Sequence, residues 1–193
     1  MAWAFYLILA ISGVVWIGWR DGSVRLGHFF NPETWWVDTA TGVGAAGLLL
    51  ALWEAGRRIF PTARQLEHRL AELLGPIDLS EVVALALLSG FAEELFFRGA
   101  VQGSWGWLPA TVLFALLHTG PGPAFRLWTL FAAVAGMVLA ALMIWRGNLL
   151  APVVAHGLLN GINLARLVKS ERVSSTVDDT PNPGEPGQND LLD

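Results

Sequence analysis

Long apolar runs occupy most of the chain, and short polar stretches that contain Gly, Pro or Arg separate them. Such runs are typical of helices that lie in a membrane, where every backbone polar group must be satisfied inside the helix. The pattern predicts an all-α, polytopic transmembrane bundle of about six membrane helices. Their predicted ranges are 2–19, 39–53, 78–102, 107–118, 124–145 and 149–168.

One segment has a different pattern. Within residues 62–74, leucines recur at helical spacing while Arg64, Glu67 and Arg69 occupy the same turns. A helix with one apolar and one charged face favours the membrane surface, so we expect an amphipathic surface helix that rests on anionic lipid. A connector helix that packs against the protein is an equally good interpretation of the same pattern.

The helix ends carry local signals. Asp78, followed three residues later by Glu81, forms a capping-box pattern that predicts the start of the third membrane helix. After position 173 the sequence changes to Ser, Asp, Pro, Gly and Asn, a composition that cannot bury enough apolar surface to fold. We therefore predict a membrane-embedded helical domain over residues 1–173 and a disordered acidic tail over residues 174–193.

The composition agrees with a membrane protein. Of the 193 residues, 54% are hydrophobic and 15% are charged, whereas soluble domains carry about 25% charged residues. The absence of cysteine excludes disulfides, thiolate metal sites and cysteine nucleophiles. The formal net charge of −4 owes much to the acidic tail, and we expect membrane lipid but no nucleic acid among the partners.

The distribution of Lys and Arg predicts the orientation in the membrane. With six membrane helices, Arg20, Arg25 and Arg146 lie on one side, and most other basic residues lie on the opposite side. Because Lys and Arg concentrate on the cytoplasmic side, both termini are expected in the cytoplasm. We expect a multi-pass protein of a bacterial plasma membrane, with its N-terminal apolar run retained as a helix rather than cleaved as a signal peptide.

Few polar residues interrupt the predicted membrane helices, and those few form a pattern. Glu93, Glu94 and Arg98 lie in the third helix, and His118 and His156 lie in the fourth and sixth. Ionisable groups in hydrocarbon cost at least a few kcal/mol each, so they persist mainly where they face a protein interior. At about 1.5 Å rise per residue from turns at one membrane face, Glu93, His118 and His156 lie at depths of roughly 15, 16 and 12 Å. This agreement in depth predicts a single buried site.

The spacing within each helix predicts which side chains act together. Glu94 and Arg98 are four residues apart and share a helix face, so we predict an ion pair between them. Glu93 points about 100° away from Glu94 and remains free to face the site. His156 and Asn160, again four residues apart, are expected to join Glu93 there.

These side chains predict hydrolysis by an activated water. The Glu93 carboxylate can take a proton from water, and His118, which follows Phe114 by one helical turn, can orient that water. The N–H groups of His156 and Asn160 can stabilise the oxyanion that forms when water attacks an amide carbonyl. The pattern therefore favours a membrane peptidase with Glu93 as its general base.

At these positions the chain resembles the CAAX prenyl protease and bacteriocin-processing (Abi) superfamily of intramembrane glutamate endopeptidases. Three motifs occur in that family's order between positions 90 and 160: Glu-Glu-x-x-x-Arg, Phe-x-x-x-His, and Asn-x-x-x-Pro followed by His-x-x-x-Asn. The matching residues are Glu93, Glu94, Arg98, Phe114, His118, Asn148, Pro152, His156 and Asn160.

The resemblance implies an endopeptidase that cleaves a membrane-anchored protein or peptide, either at a CAAX-type terminus or in C-terminal or leader processing. The segment between the first motif and His118 is shorter than expected for this family, so the groove by which substrate enters is expected to differ. The resemblance implies no metal or other cofactor; the implied catalytic residues are Glu93, His118, His156 and Asn160, and the supporting residues are Glu94, Arg98 and Phe114.

Two other functions stay open from the sequence. Glu93, His118 and His156 form a two-histidine, one-carboxylate set of the kind that binds catalytic zinc, although the HExxH spacing is absent. A covalent mechanism is not indicated, because Ser89 and Ser104 do not stand beside an obvious base. The chain can also be a non-catalytic membrane scaffold, an immunity protein or a transporter, since intramembrane acids also line ion paths.

Overall fold

The computed structural model describes residues 2–75 and 77–178, and the regular structure in that part of the chain is entirely helical. The predicted all-α, membrane-type fold is therefore confirmed. The helix Leu79–Glu94 continues directly into a π-helical segment, Leu95–Gln102, and then into a last turn, Gly103–Trp105. We number the helices in chain order: α1 Ala2–Asp21, α2 Trp35–Ile59, α3 Pro61–Leu74, α4 Leu79–Glu94, α5 Trp107–Leu117, α6 Pro123–Arg146 and α7 Leu150–Asp178.

The predicted signals at the helix ends operate in the structure. The Glu81 N–H donates to the Asp78 carboxylate at 2.8 Å, and the Asp78 N–H donates to the Glu81 carboxylate at 2.9 Å, which confirms the capping box that starts α4. Gly106 (φ 88°) precedes α5 and Gly147 (φ 68°) follows α6. Both adopt positive φ, which glycine tolerates without steric cost, and the chain can reverse there.

Two helices are longer than the apolar runs that predicted them. α2 covers Trp35–Ile59 rather than 39–53, and α7 continues to Asp178 rather than to position 168. The boundary between domain and tail at position 174 stays a prediction. Backbone hydrogen bonds within a helix do not require apolar side chains, so a helix can extend beyond the run that predicts it. The remainder of the predicted tail, residues 179–193, lies outside the described residues.

Contacts between α1 and α4 show that these two helices run parallel. A Cβ added at Gly13 would lie 3.2 Å from the Leu95 backbone, and one turn later Ile17 packs against Gly99. At the end of α1, Arg20 donates to backbone carbonyls of the π-helical segment. α1 is therefore held in a defined register along the helix that carries the two glutamates.

α7 crosses α4 in the opposite direction. A Cβ at Gly90 would lie 2.8 Å from the Gly157 Cα, while the earlier residue Ala86 packs near the later residue Gly161. Small residues of this kind let helix backbones approach closely. The crossing places the end of α4 beside the middle of α7.

The remaining contacts complete an alternating arrangement. Asp38 meets Asn148 and Leu49 packs near Leu159, so α2 and α7 run parallel. Corresponding contacts make α6 parallel to α4, and α5 antiparallel to both. The helices α1, α2, α4, α5, α6 and α7 thus alternate in direction, as expected of a chain that crosses a membrane repeatedly.

By length and hydropathy, three described helices can cross a membrane: Trp3–Asp21, Trp35–Ile59 and Pro123–Arg146. The number of candidate spans is four if α3 and the α4 helix, which meet at a 104° bend, are taken as one broken span. α5 is apolar but shorter. Large apolar side chains cover the outer surface, among them Ile8 at 66% exposure and Leu48 at 64%. This surface suits a lipid environment, and the number of six membrane helices stays a prediction.

α3 packs its apolar face against the protein. Leu66 and Ala63 are fully buried in a cluster with Trp53 of α2 and residues of α6. The Glu67 carboxylate accepts a hydrogen bond from Trp53 Nε1 at 3.1 Å and pairs with Arg57 at 3.1 Å. The apolar face of α3 is therefore packed on the protein, as the connector interpretation predicts. The other face of α3 is exposed at the molecular surface.

A buried polar cluster joins the ends of α2, α6 and α7. Asp38 is fully buried and accepts hydrogen bonds from Arg146 Nε, from Asn148 Nδ2 at 3.0 Å and from Thr34 Oγ1 at 3.2 Å. Asn148 Oδ1 in turn accepts from the Leu150 N–H at 3.0 Å and caps the first turn of α7. These bonds fix the starting point of the helix that carries His156 and Asn160.

Candidate active site

The two glutamates lie at the junction between α4 and the π-helical segment. Glu94 is fully buried and Glu93 is 7% exposed. The chain changes from α-helical to π-helical geometry at Leu95, the residue that follows them. π-Helical turns are rare and frequently occur at functional sites, and nothing in the local sequence predicted this one.

Glu94 is the centre of a buried ion network. Its Oε1 lies 3.1 Å from an Arg98 terminal nitrogen and 2.7 Å from His156 Nδ1. The predicted Glu94–Arg98 ion pair is therefore confirmed. Arg98 also donates to the Gly136 carbonyl of α6 at 3.3 Å, so the network joins α4, α6 and α7.

Glu94 holds His156 in place. The His156 Nδ1 lies 2.7 Å from Glu94 Oε1, and the imidazole also lies within electrostatic range of Glu93. The role of His156 beside Asn160 stays a prediction. The antiparallel crossing explains which residues pair. Residues later in α4 face residues earlier in α7, so Glu94 meets His156 while Ser89 meets Asn160.

Glu93 faces His118 across a short gap. The His118 Nε2 lies 3.9 Å from Glu93 Oε2, too far for a direct hydrogen bond. The opposite ring nitrogen, Nδ1, lies 2.7 Å from the Phe114 carbonyl and donates to it. In the neutral imidazole this leaves Nε2 as an acceptor that faces the carboxylate.

Phe114 packs the aromatic and cationic groups of the site together. Its ring lies 4.5 Å from the His118 ring and 5.7 Å from the His156 ring, between centroids. The Arg98 guanidinium lies 4.4 Å above the same ring, a cation–π contact. A Cβ at Gly136 would lie 3.2 Å from this ring, so the glycine leaves room for it. Phe114, which the sequence predicts as a supporting residue, thus packs between the two histidine rings and the guanidinium.

A cavity of about 310 Å³ opens next to Glu93. α3 covers part of it with Leu66, Leu70 and Leu74, so much of its wall is apolar. The Asn160 Nδ2 donates to the Ser89 hydroxyl at 2.9 Å within this wall. Its polar lining includes Tyr6, Ser89, Glu93, His118 and Asn160.

Sequence reasoning missed several residues of the site. Ser89 precedes Glu93 by one helical turn, and this spacing was a signal that could have been used. Trp128 packs edge-on against the His118 ring at 5.2 Å, and Thr129 donates to the His118 carbonyl at 2.9 Å. These contacts join separate helices across the turn between them, so no spacing within one helix predicts them.

The proposed zinc ligands are distributed over two separate contacts. Glu93 and His118 face one another, whereas His156 Nδ1 is bonded to Glu94. Within residues 2–75 and 77–178, no group of three His, Asp or Glu side chains has a geometry that suits a metal ion. The arrangement therefore offers no ready-made zinc site of the predicted composition.

Comparisons with known proteins agree with the motif region. Residues 76–162 match the family model described as Rce1-like, type II CAAX prenyl endopeptidase Rce1-like. A protein of Bacillus subtilis (strain 168), described as "Uncharacterized protein YpbD", is 35% identical over 90 residues, which cover 44% of this chain and 44% of that relative. The chain thus aligns with less than half the length of this relative, and no solved structure matches it. The match to the Rce1-like model, residues 76–162, contains the whole glutamate, histidine and asparagine constellation.

Proposed function

We propose that this protein is an intramembrane endopeptidase that hydrolyses a peptide bond of a membrane-associated protein or peptide, with Glu93 as general base. The observation that supports it best is the gap between Glu93 and His118. Both groups line one cavity, and 3.9 Å separates their facing atoms without a direct hydrogen bond. A water about 2.8 Å from both atoms would have the two acceptors roughly 90° apart, close to the geometry of its two O–H bonds.

The reaction follows from this placement. The water oxygen attacks the carbonyl carbon of the scissile peptide bond while Glu93 takes its proton, and His118 holds the water in line. The C–N bond breaks when the tetrahedral intermediate collapses, and the proton on Glu93 passes to the leaving amine. Asn160 supports the developing oxyanion, because one N–H of its amide is used on Ser89 and the second remains for substrate.

The network around Glu94 positions these groups. Glu94 holds both Arg98 and His156, and Phe114 packs on the rings of His118 and His156. In this proposal Glu94 holds His156 by its Nδ1, and His156 keeps its predicted place beside Asn160 in the oxyanion site. The charges in the network compensate one another, so Glu93 remains the carboxylate available for proton transfer.

The family match and the cavity support a proposal for the substrate class. The Rce1-like match supports a CAAX-type terminus, and C-terminal or leader processing is the related possibility. The leucines of α3 and the apolar cavity wall suit a substrate with a lipid-like or apolar segment. Lipid contact of the exposed face of α3, a bacterial plasma membrane and cytoplasmic termini complete the proposal.

Replacement of Glu93 by Gln tests the proposal. Glu93→Gln keeps the shape of the side chain but removes the base, so turnover of a farnesylated CAAX-type fluorogenic peptide should fall by about 10²-fold or more at unchanged protein level. Glu72→Gln, on the exposed surface of α3, is the matched control and should keep wild-type activity. Comparative proteomics of membrane-protein termini in cells that express each form extends the test to unidentified substrates.

The outcomes separate the alternatives. Cleavage that survives Glu93→Gln would contradict the proposed mechanism. Activity that disappears with a chelator and returns with zinc would favour the metalloprotease. Termini that are identical with and without the wild-type protein, together with an uncleaved peptide, would favour a scaffold, an immunity protein or a transporter.

A further inference from the structure

Arg166 of α7 lines the same cavity as Glu93, although it follows the matched segment 76–162. Among the described residues that line this cavity, Arg166 alone is exposed, whereas Glu93 is 7% exposed. The cavity therefore extends from a buried carboxylate to a guanidinium at the molecular surface.

No carboxylate of the described residues pairs with Arg166. Glu67 also lines the cavity, but it is paired with Arg57 at 3.1 Å. Glu93, the second carboxylate of the lining, faces His118. The N–H donors of the Arg166 guanidinium therefore remain available to a ligand that enters the cavity.

A row of polar side chains on α7 connects the interior of the cavity to its exposed end. Asn160, Asn163 and Arg166 follow one another at intervals of three residues, and all three line the cavity. Such a row turns by about 60° around the helix at each step. Both amides are partly buried and the guanidinium is exposed, so the row leads from the reaction centre to the surface.

The length of this row fits a short peptide segment. Arg166 is six positions after Asn160, which corresponds to about 9 Å along the helix at roughly 1.5 Å per residue. An extended peptide advances about 3.3–3.6 Å per residue, so three residues cover about 10 Å. A substrate whose scissile carbonyl lies at Asn160 would bring a group about three residues further on to Arg166.

The chemistry of the guanidinium indicates which group that is. Its planar arrangement of donors matches the two oxygens of a carboxylate, and such charge-assisted pairs are stronger than neutral hydrogen bonds. A chain that ends at this place presents a carboxylate there. A chain that continues presents a neutral peptide group, which offers the guanidinium no charge.

We propose that Arg166 binds the C-terminal carboxylate of the substrate and is a specificity-determining residue of the cavity. This inference rests on the proposed peptidase function. It favours C-terminal processing over leader processing, because the chain that follows a leader cleavage site continues well beyond the reach of Arg166.

Amidation of the substrate tests the inference. The wild type should cleave a farnesylated CAAX-type peptide with a free carboxylate at a kcat/KM about 10-fold above that of the same peptide with a C-terminal amide. Arg166→Gln should lower kcat/KM for the free acid to the same extent, mainly through KM, and should cleave the amide as the wild type does. The two losses should coincide rather than add, because each removes the same contact.

Lys169→Gln is the matched control. Lys169 is the next residue at the same spacing on α7 and is exposed, but it lies outside the cavity lining. Lys169→Gln should therefore keep the wild-type preference for the free acid, and Arg166→Lys should retain part of it because the charge remains without the planar fork. Equal losses in Arg166→Gln and Lys169→Gln would indicate general charge attraction and would overturn the inference.

The two proposals fail in distinguishable ways. If the wild type cleaves both peptides equally well, or if Arg166→Gln loses activity equally on both, only the inference about Arg166 is wrong. If the wild type cleaves neither peptide and changes no membrane-protein termini, the proposed function is wrong and the role of Arg166 falls with it. Normal cleavage of the amide by Arg166→Gln shows that the variant is folded, and loss of the carboxylate preference in that variant supports the inference.

Discussion

The adjacent residues Glu93 and Glu94 differ in their partners more than in their burial. Glu94 touches Arg98 and His156 at hydrogen-bonding distance, whereas the facing group of Glu93 is the more distant His118. A buried charge without a partner is costly, so a paired and an available carboxylate indicate different tasks. We assign Glu94 to structure and Glu93 to chemistry.

Replacement of Arg98 tests the structural role of this pair. Arg98→Met removes the guanidinium partner of Glu94 and leaves the carboxylate with His156 alone. Loss of one partner of a buried pair typically costs about 3–5 kcal/mol of unfolding free energy. The double variant Glu94→Gln/Arg98→Met removes both charges and should be more stable than Arg98→Met alone. Denaturation in detergent micelles measures both, and a single variant as stable as the double would contradict a buried ion pair.

At the scale of elements, the contact between α4 and α7 determines the site geometry. The backbones approach closely at Gly90 and Gly157, beside the residues that form the Glu94–His156 and Ser89–Asn160 hydrogen bonds. Any increase in the distance between the two backbones would lengthen both hydrogen bonds at once. Two glycines therefore contribute to the site although neither carries a functional group.

Gly90→Ala tests this contact. The added methyl would lie 2.8 Å from the Gly157 backbone, so the helices must separate, and such overpacking costs about 1–3 kcal/mol. We expect a lower melting temperature together with reduced peptidase activity. Gly44→Ala is the matched control, because no atom lies within 4 Å of its added Cβ and alanine favours helices. Equal effects of the two changes would contradict the role of the close approach.

At the scale of the whole molecule, elements outside the matched segment complete the site. α1 contributes Tyr6, and α3 covers the cavity with its leucines. The C-terminal ends of α1, α4 and α6 and the N-terminal ends of α2 and α7 lie at the same end of the bundle, as the helix contacts show. The predicted orientation places that end, with Arg20 and Arg146, away from the cytoplasm.

Single-cysteine labelling tests this orientation on a chain that contains no cysteine. A membrane-impermeant maleimide should label Ser104→Cys in intact cells, because this turn belongs to the end with few basic residues. Gln65→Cys, on the exposed face of α3, should react only after the membrane is opened. Ala132→Cys is buried and should remain unlabelled in both cases. The reverse pattern for the first two would place both termini outside the cytoplasm.

The sequence by itself determined the features that depend on short spacing. A run of apolar residues predicts a helix, Asp78 and Glu81 predict its first turn, and the four-residue spacing of Glu94 and Arg98 predicts their ion pair. Each of these features lies within one helix, where helical geometry fixes the relation between neighbours. Motif order alone also predicted a candidate site within residues 90–160.

The tertiary structure decided which helix faces reach the same point. The partner of His156, the packing of α3 on the protein and the presence of Tyr6 in the cavity wall all depend on rotation and register between separate helices. Those quantities follow from packing at positions such as Gly13 and Gly90, where the contacting residue is distant in the chain. Periodicity within one helix carries no information about them, because it is the same for every rotation of the neighbouring helix.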